Sequence, residues 1–353
     1  MDLGTDMVLV TGALGWLGTN LVAALSKGLP DCEALARPPA DLNIRCLVLP
    51  GQSSAPLNTF SERVQVIEGD LRSPEDCERL CKEAEGAILF HTAGMIHPKR
   101  VSEFYQVNVN GTTNVLNAAV KTKVRRAVVI SSNSPCGYNR HPDHLFDEES
   151  PYCPYMNYGR SKMLMELVVK ERAAESGMEA VILRAPWFYG PHQPPRQTLF
   201  FRMIREGKAP IVGRGRNLRS MAYTDNIAQG MLLAAINEAA AGETFWIADE
   251  RPYSMNEIID TIERLLEDEF DQMCAHQRMK LPGVASEIAL LVDATLQRLG
   301  LYHQKIHVLS EMNKTIACSI TKAKRLLGYD PKVSLEEGMR RSLKWTMEKY
   351  GEI

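Results

Sequence analysis

Charge of a single sign is missing from this chain: 41 Lys plus Arg stand against 43 Asp plus Glu, and a formal charge of −2 over 353 residues gives no electrostatic footprint for nucleic acid. Long hydrophobic runs are missing too. The most apolar late segment, residues 284–301, is interrupted by Glu287, Asp293, Gln297 and Arg298 and falls short of the ~20 residues a membrane span needs, so no membrane partner is expected. The opening MDLGTDMVLVTG has no basic stretch followed by a cleavable apolar one, and no secretory signal is read there. Eight cysteines lie scattered at positions 32, 46, 77, 81, 136, 153, 274 and 318 without a CxxC pair, which favours reduced structural thiols and a cytoplasmic setting. The eight histidines and the carboxylates do not cluster at metal-ligand spacing, so no metal is expected. Internal repeats and low-complexity tracts are also lacking. What is present is 45% hydrophobic residues, enough for one large or two modest cores.

Those apolar residues are arranged with a clear rhythm. Strand-like runs occur at 7–11, 44–49, 64–68, 87–91, 127–131 and 180–184, separated by helix-length segments, which predicts an α/β fold with a doubly wound parallel sheet. A Pro- and Asp-rich stretch between Gly28 and Asn43 lengthens the first crossover and reads as an insertion or loop. From Pro186 onward the chain turns to Pro-rich loops, with a helix near 199–206 and further helical periodicity at 256–267, 286–299 and 336–350. The expected division is a Rossmann nucleotide-binding domain over 1–184, rejoined by 219–249, and a smaller, mostly helical substrate region over 185–218 and 250–353.

Thr11-Gly12-Ala13-Leu14-Gly15-Trp16-Leu17-Gly18 lies between the first strand and the first helix, where backbone N–H groups and the positive helix end can meet a pyrophosphate. A glycine-rich turn alone is a weak signal; its place after an apolar strand strengthens it. Cofactor choice turns on the residue after the second strand, where an acid would hold the ribose hydroxyls of NAD and an Arg the phosphate of NADP. Leu49-Pro50-Gly51-Gln52-Ser53-Ser54 offers neither; the missing Arg tilts the reading toward NAD, while Ser53 and Ser54 leave NADP open.

Tyr158 and Lys162 stand four residues apart and so share one helix face. A phenol with an ordinary pKa near 10 is a poor proton-transfer group at neutral pH, and a nearby ammonium would lower that value. The run Ser131-Ser132-Asn133-Ser134 follows the 127–131 strand, where a hydroxyl can orient a substrate oxygen beside the phenol at the C-terminal edge of the sheet.

With Glu149-Ser150-Pro151, Pro154, Glu166, Asn108-Val109-Asn110-Gly111-Thr112, Arg184-Ala185-Pro186-Trp187-Phe188-Tyr189-Gly190-Pro191, Tyr223-Thr224-Asp225-Asn226 and the closing Lys322-Ala323-Lys324-Arg325-Leu326-Leu327-Gly328-Tyr329, the whole chain resembles the extended branch of the short-chain dehydrogenase/reductase superfamily. The glycine spacing Gly-x-x-Gly-x-x-Gly is the form that family uses. The resemblance implies Tyr158 as acid/base, Lys162 as its electrostatic partner and ribose ligand, and Ser132 as the substrate-orienting hydroxyl, with Ser131 and Ser134 as substitutes. It implies cofactor contacts from Gly12, Gly15, Trp16, Leu17, Gly18, Asp70, Leu71, Ala93, Gly94, Ser131, Tyr158, Lys162 and Pro186. Asp70 would hold the adenine; the competing reading, a helix cap, suits Ser73 better. His91-Thr92-Ala93-Gly94 resembles the segment that lines the cofactor. Pro135-Cys136 departs from the Val-Tyr common in the family, which puts the substrate-facing wall of that loop in doubt.

Within the family the pattern is nearest to enzymes resembling 3-beta-hydroxysteroid dehydrogenase. Trp187 stands where nucleotide-sugar enzymes commonly carry a diphosphate-binding Asn, and Ser310-Glu311-Met312-Asn313-Lys314-Thr315-Ile316 replaces their Arg-Pro-Gly-Asp segment. Arg219 dissents, being spaced like a diphosphate ligand, although a surface arginine beside Arg214 and Arg216 is the plainer account. Asn133, Ser134, Trp187, Arg219 and His97 are the candidate substrate contacts, with a solvated loop as the alternative for His97. The stripe Ile288, Leu291, Val292, Leu296 and Leu299 is expected either as core or as a lid over an apolar substrate. The activity so implied is NAD(P)-dependent hydride transfer between nicotinamide and a secondary alcohol or ketone, on a small-molecule substrate, in a homodimer formed through helices around 114–121 and 158–172. A nucleotide-sugar epimerase or dehydratase, or a non-catalytic nucleotide-binding regulator, are the alternatives.

Overall fold

In the computed structural model, described for residues 1–141 and 143–353, the apolar runs pair into one parallel sheet. Its strands are β1 (Met7–Thr11), β2 (Asn43–Val48), β3 (Val64–Glu68), β4 (Ile88–His91), β5 (Arg126–Ser131), β6 (Glu179–Arg184) and a last strand, Thr244–Trp246. Their order across the sheet runs from Thr244–Trp246 through β6, β5, β4, β1 and β2 to β3. Every pairing is parallel. The direction of winding reverses between β1 and β4, which opens a crevice beyond their C-terminal ends.

Burial on both faces explains why the strands read as nearly continuous apolar runs instead of alternating ones. Val8 and Val10 of β1 point into the core shared with helix α1 (Trp16–Lys27) and helix Thr224–Ile236. Leu9 points the other way, onto helices Pro74–Cys81, Thr112–Lys121 and Met156–Ser176. A third core lies outside the sheet, where helices Pro195–Arg205, Met255–Phe270 and Leu335–Tyr350 gather around Tyr189, Phe201 and Tyr223.

The tail does not pack as one block. Ile320, Ala323, Leu327 and Tyr329 join the core under α1, so helix Thr321–Leu327 lies on the sheet layer although the sequence reading assigns all of 250–353 to the substrate region. The insertion after Gly28 is closed by its own backbone bonds, Leu29 N–H to the Leu35 carbonyl and Leu35 N–H to the Cys32 carbonyl. Leu29 and Leu35 enter the same core, which anchors the loop.

Helix Gly283–Arg298 is turned opposite to expectation. Ser286, Asp293 and Gln297 are buried, whereas Ile288, Leu291, Val292 and Leu299 are 42–72% exposed. The stripe is not core, although Leu296 within it is half-buried. Its polar side can be buried because each group finds a partner: Ser286 donates to the Leu309 carbonyl (2.6 Å), and Asp293 accepts from Gln297 and bonds His307.

Candidate active site

The phosphate loop is built from close backbone approaches. A Cβ at Gly12 would sit 2.6 Å from the Ala93 nitrogen, and one at Gly18 would sit 2.0 Å from the Gly12 carbonyl oxygen, so neither position can carry a side chain. Thr11 is in register with His91, which sets the loop directly beside Thr92-Ala93-Gly94. Gly15 caps α1 without a side chain and the first turn holds no acid, leaving N–H groups and the positive helix end open to an anion. The Trp16 indole N–H donates to the Pro191 carbonyl at 2.8 Å. Leu17 and Leu71 are core side chains, so contacts with a dinucleotide from these two fall to their backbones. Pro186 is buried at the end of β6.

Asp70 follows β3. Its carboxylate is engaged by Arg72, whose Nε lies at 2.9 Å, and that hydrogen bond holds it below the usual carboxylate pKa against the effect of burial. Ser73 supplies the helix cap, accepting from the Asp76 N–H at 3.1 Å, as expected. His91 is a satisfied core group: its ring nitrogens bond Thr11 at 2.7 Å and Thr112 at 2.8 Å, and burial, then Lys162, lower its pKa to about 3.

The candidate reactive groups come from the end of β5 and from helix Met156–Ser176. Ser132 is a hydrogen-bonding neighbour that acts to lower the pKa of the Tyr158 phenol. Burial pushes the phenol up to about 12; the Ser132 hydrogen bond and Arg196 pull it back, and Glu311 pushes it further. Lys162 is not among the groups that set this value. Its Nζ donates to the Ile130 carbonyl at 2.9 Å and touches the Met165 sulfur at 3.2 Å. Burial lowers its own pKa to about 8, with Glu166 opposing. The phenol is raised and not lowered, because burial outweighs the cations near it; the amine is held at the Ile130 carbonyl, and the cation acting on Tyr158 is Arg196, from the first turn of helix Pro195–Arg205.

Ser131 serves structure. Its hydroxyl donates to Glu166 at 2.5 Å, and the same buried carboxylate accepts from Tyr152 and takes both Nε and Nη2 of Arg184. Ser134 lies 3.4 Å from the Ser132 hydroxyl, and Asn133 accepts from Ser132 at 3.3 Å, so both shape the loop around it. Asn108 sits in a π-helical turn, Gln106–Gly111, a local widening common at functional sites. It grips both the N–H and the carbonyl of Met95 and donates to Ser161, beside Lys162. The motif was legible; this bracing role was not.

The wall facing Tyr158 comes from distant segments. Phe104 packs against Tyr158 and Tyr302, with ring centroids 5.7 and 5.2 Å apart. His97 is half-buried and bonded to the Tyr302 hydroxyl at 2.8 Å, which overturns the solvated-loop alternative. Burial, then Arg196 and His307, bring His97 down to about 4. Burial works against a charge on His307, but Asp293 at 2.7 Å and Glu311 outweigh it and raise its pKa. Arg219 is not a surface arginine either: it donates to the Glu311 carbonyl at 2.5 Å, and its Nε is buried without a partner. Trp187 stacks obliquely on Phe200, 5.8 Å between centroids, and presents no amide. Arg196, Glu311 and Tyr302 were missed from sequence because nothing local sets them apart; only folding brings them to Tyr158.

Residues 8–248 match the family described as NAD dependent epimerase/dehydratase family. The chain belongs to that family. It is 54% identical over 349 residues to the uncharacterized protein y4nL of Sinorhizobium fredii (strain NBRC 101917 / NGR234), covering 99% of this chain and 97% of that one. It is 27% identical to the sterol-4-alpha-carboxylate 3-dehydrogenase ERG26, decarboxylating, of Saccharomyces cerevisiae, covering 97% and 98% of the two chains. Among solved structures it resembles the DesIV double mutant (dTDP-glucose 4,6-dehydratase) from Streptomyces venezuelae, with NAD and DAU bound, at 26% identity, a TM-score of 0.73 and 98% coverage of each chain. Membership makes the chain an enzyme of the extended short-chain dehydrogenase/reductase type and sets aside a non-catalytic regulator.

The residues present fit the nicotinamide dinucleotide of the epimerase/dehydratase family. The Gly12 and Gly18 approaches leave a cradle that any Cβ would fill, at the open end of a twelve-residue helix. Gly94 leaves room beside the Lys162 amine, since a Cβ there would lie 3.8 Å from Nζ. No helix is long and apolar enough to cross a membrane among the described residues.

Proposed function

We propose that the chain is an oxidoreductase of secondary alcohols or ketones, with Tyr158 exchanging the oxygen's proton, Ser132 orienting that oxygen and Lys162 holding the nicotinamide ribose. The Tyr158 phenol, packed against Phe104 at the crevice edge with Ser132 acting on its pKa, carries the reading. Bound nicotinamide supplies or takes the hydride. In the reducing direction the phenol gives its proton to the carbonyl oxygen; in the oxidising direction it receives the hydroxyl proton. A phenol pushed up to about 12 is protonated at neutral pH, which suits the donor role. NAD is the cofactor we favour, because the turn after β2 brings no arginine for a ribose phosphate.

Trp187, packed on Phe200 where a sugar-nucleotide enzyme would need an amide, supports the alcohol or ketone reading. The buried, unpartnered Nε of Arg219 favours a second one, a nucleotide-sugar epimerase or dehydratase that returns the hydride within one turnover. Single-turnover absorbance of the nicotinamide separates them: net accumulation of reduced or oxidised cofactor supports the first, and turnover with none overturns it. Tyr158→Phe is expected to lower hydride transfer about 10²–10⁴-fold with cofactor affinity retained. Unchanged transfer would refute the assignment of Tyr158.

A further inference from the structure

Helix Gly283–Arg298 buries Ser286, Asp293 and Gln297 while leaving several large apolar side chains exposed. Val284, Ile288, Leu291 and Leu299 recur at helical spacing on the outer face and are 56–72% exposed; Val292 and Leu301 widen the patch. A water-facing helix has the opposite arrangement, so this face is built for something other than water.

The charges around it indicate what that is. Lys280, Arg298 and Lys305 flank the patch along the chain, and none of them has an acidic partner among the ion pairs of the described residues. Lys99 and Arg100 are brought alongside by backbone pairing, Val101 N–H to the Gly300 carbonyl at 3.0 Å and Tyr302 N–H to the Lys99 carbonyl at 3.2 Å. Residues 279–308 contain two acids: Asp293 is buried, and Glu287 is neutralised by Lys314 at 2.6 Å. Among the described residues, five cations outside any ion pair, Lys99, Arg100, Lys280, Arg298 and Lys305, thus lie on the segments beside one apolar patch, with Glu103, which accepts from the Arg100 N–H at 2.8 Å, the one acid next to Lys99 and Arg100.

We propose that this face docks on an anionic lipid surface, with the helix lying in the plane of the interface and not across it. Apolar side chains enter the headgroup boundary while the Lys and Arg collar meets lipid phosphates. A second copy of the chain is the poorer occupant, because a two-fold contact over this face sets the five cations against the same five. The buried side of the helix also reaches the reaction helix. Gln297 accepts from the Asn157 backbone N–H at 3.1 Å and from its side chain at 2.9 Å, one residue before Tyr158. On the oxidoreductase reading above, docking therefore brings the Tyr158 cleft to a bilayer and suits it to a lipophilic alcohol or ketone.

The test is co-sedimentation of the full chain with vesicles of equal parts phosphatidylcholine and phosphatidylglycerol, and with phosphatidylcholine alone, at low and high salt. Binding to the anionic vesicles, weakened by salt, is expected. Arg298→Gln with Lys305→Gln should weaken it about 30-fold. Leu291→Glu should abolish it; Leu291→Ser, which adds no charge, should weaken it while leaving the thermal midpoint unchanged. Absence of binding at low salt, or binding indifferent to both Leu291 variants, overturns the proposal. So does a dimer in sedimentation velocity that Leu291→Glu dissociates with no vesicle binding in either form, which would assign the face to a second copy. Vesicle binding is read without substrate or cofactor, so its failure leaves the hydride-transfer reading standing, and a failure of hydride transfer leaves the vesicle result standing.

Discussion

Replacing Lys162 by methionine should stabilise the cofactor-free protein at neutral pH while removing a residue assigned to cofactor binding. The side chain is 4% exposed, and its amine meets one carbonyl oxygen, that of Ile130. Burial lowers its pKa from 10.5 to about 8 despite Glu166. At roughly 1.4 kcal/mol per pH unit, holding the charged form in the fold at pH 7 costs about 3 kcal/mol relative to the unfolded chain. Losing the Ile130 hydrogen bond removes about 1 kcal/mol of that gain, so the variant should be more stable by about 2 kcal/mol, an upward shift of roughly 3 °C for a chain of this size. The sign of the pH dependence follows from the direction of the shift. Between about 8 and 10.5 the unfolded chain binds the proton that the folded one has released, so wild-type stability from this group rises with pH across that window. The advantage of Lys162→Met is therefore full below about pH 8 and is nearly gone by about 10.5. Urea unfolding of both proteins at pH 7 and pH 10 measures the difference, in which the shared high-pH titration of tyrosines and cysteines cancels. A variant less stable at pH 7, or a difference that does not shrink with pH, would refute the buried-charge account of Lys162.

Gly18→Ala should lose cofactor binding and destabilise by about 1–3 kcal/mol, because the new methyl would lie 2.0 Å from the Gly12 carbonyl oxygen; calorimetric titration with NAD and a thermal scan check both. Glu166→Gln leaves Arg184 buried without its counter-charge and should cost about 3–5 kcal/mol, read by denaturant midpoint, whereas replacing both partners with apolar residues should recover much of that loss.

The strands of the sheet were legible because both faces are buried, so residues such as Val8, Leu9 and Val10 are all apolar and bounded by turn residues. The glycine loop was legible for a local reason as well: Gly12 and Gly18 sit where no Cβ fits. Tyr158 and Lys162 were found by spacing, but their electrostatic relation was not, since four residues on a helix fix a shared face and not where a long, flexible amine ends. Arg196 comes from the first turn of helix Pro195–Arg205, just after a Pro-rich stretch, and Glu311 from the tail, and neither carries a sequence signal that aims it at Tyr158.

By itself, then, the order of residues determined the doubly wound sheet and the glycine loop and singled out the candidate phenol, lysine and serine, because each rests on contacts or spacings within one or two elements. Tertiary structure decided the rest. It alone turned the apolar stripe of Gly283–Arg298 outward, by supplying His307, Asn157 and the Leu309 carbonyl as partners for the polar side. A periodic pattern states that a helix has two faces; which one is buried depends on what the rest of the chain brings to meet it.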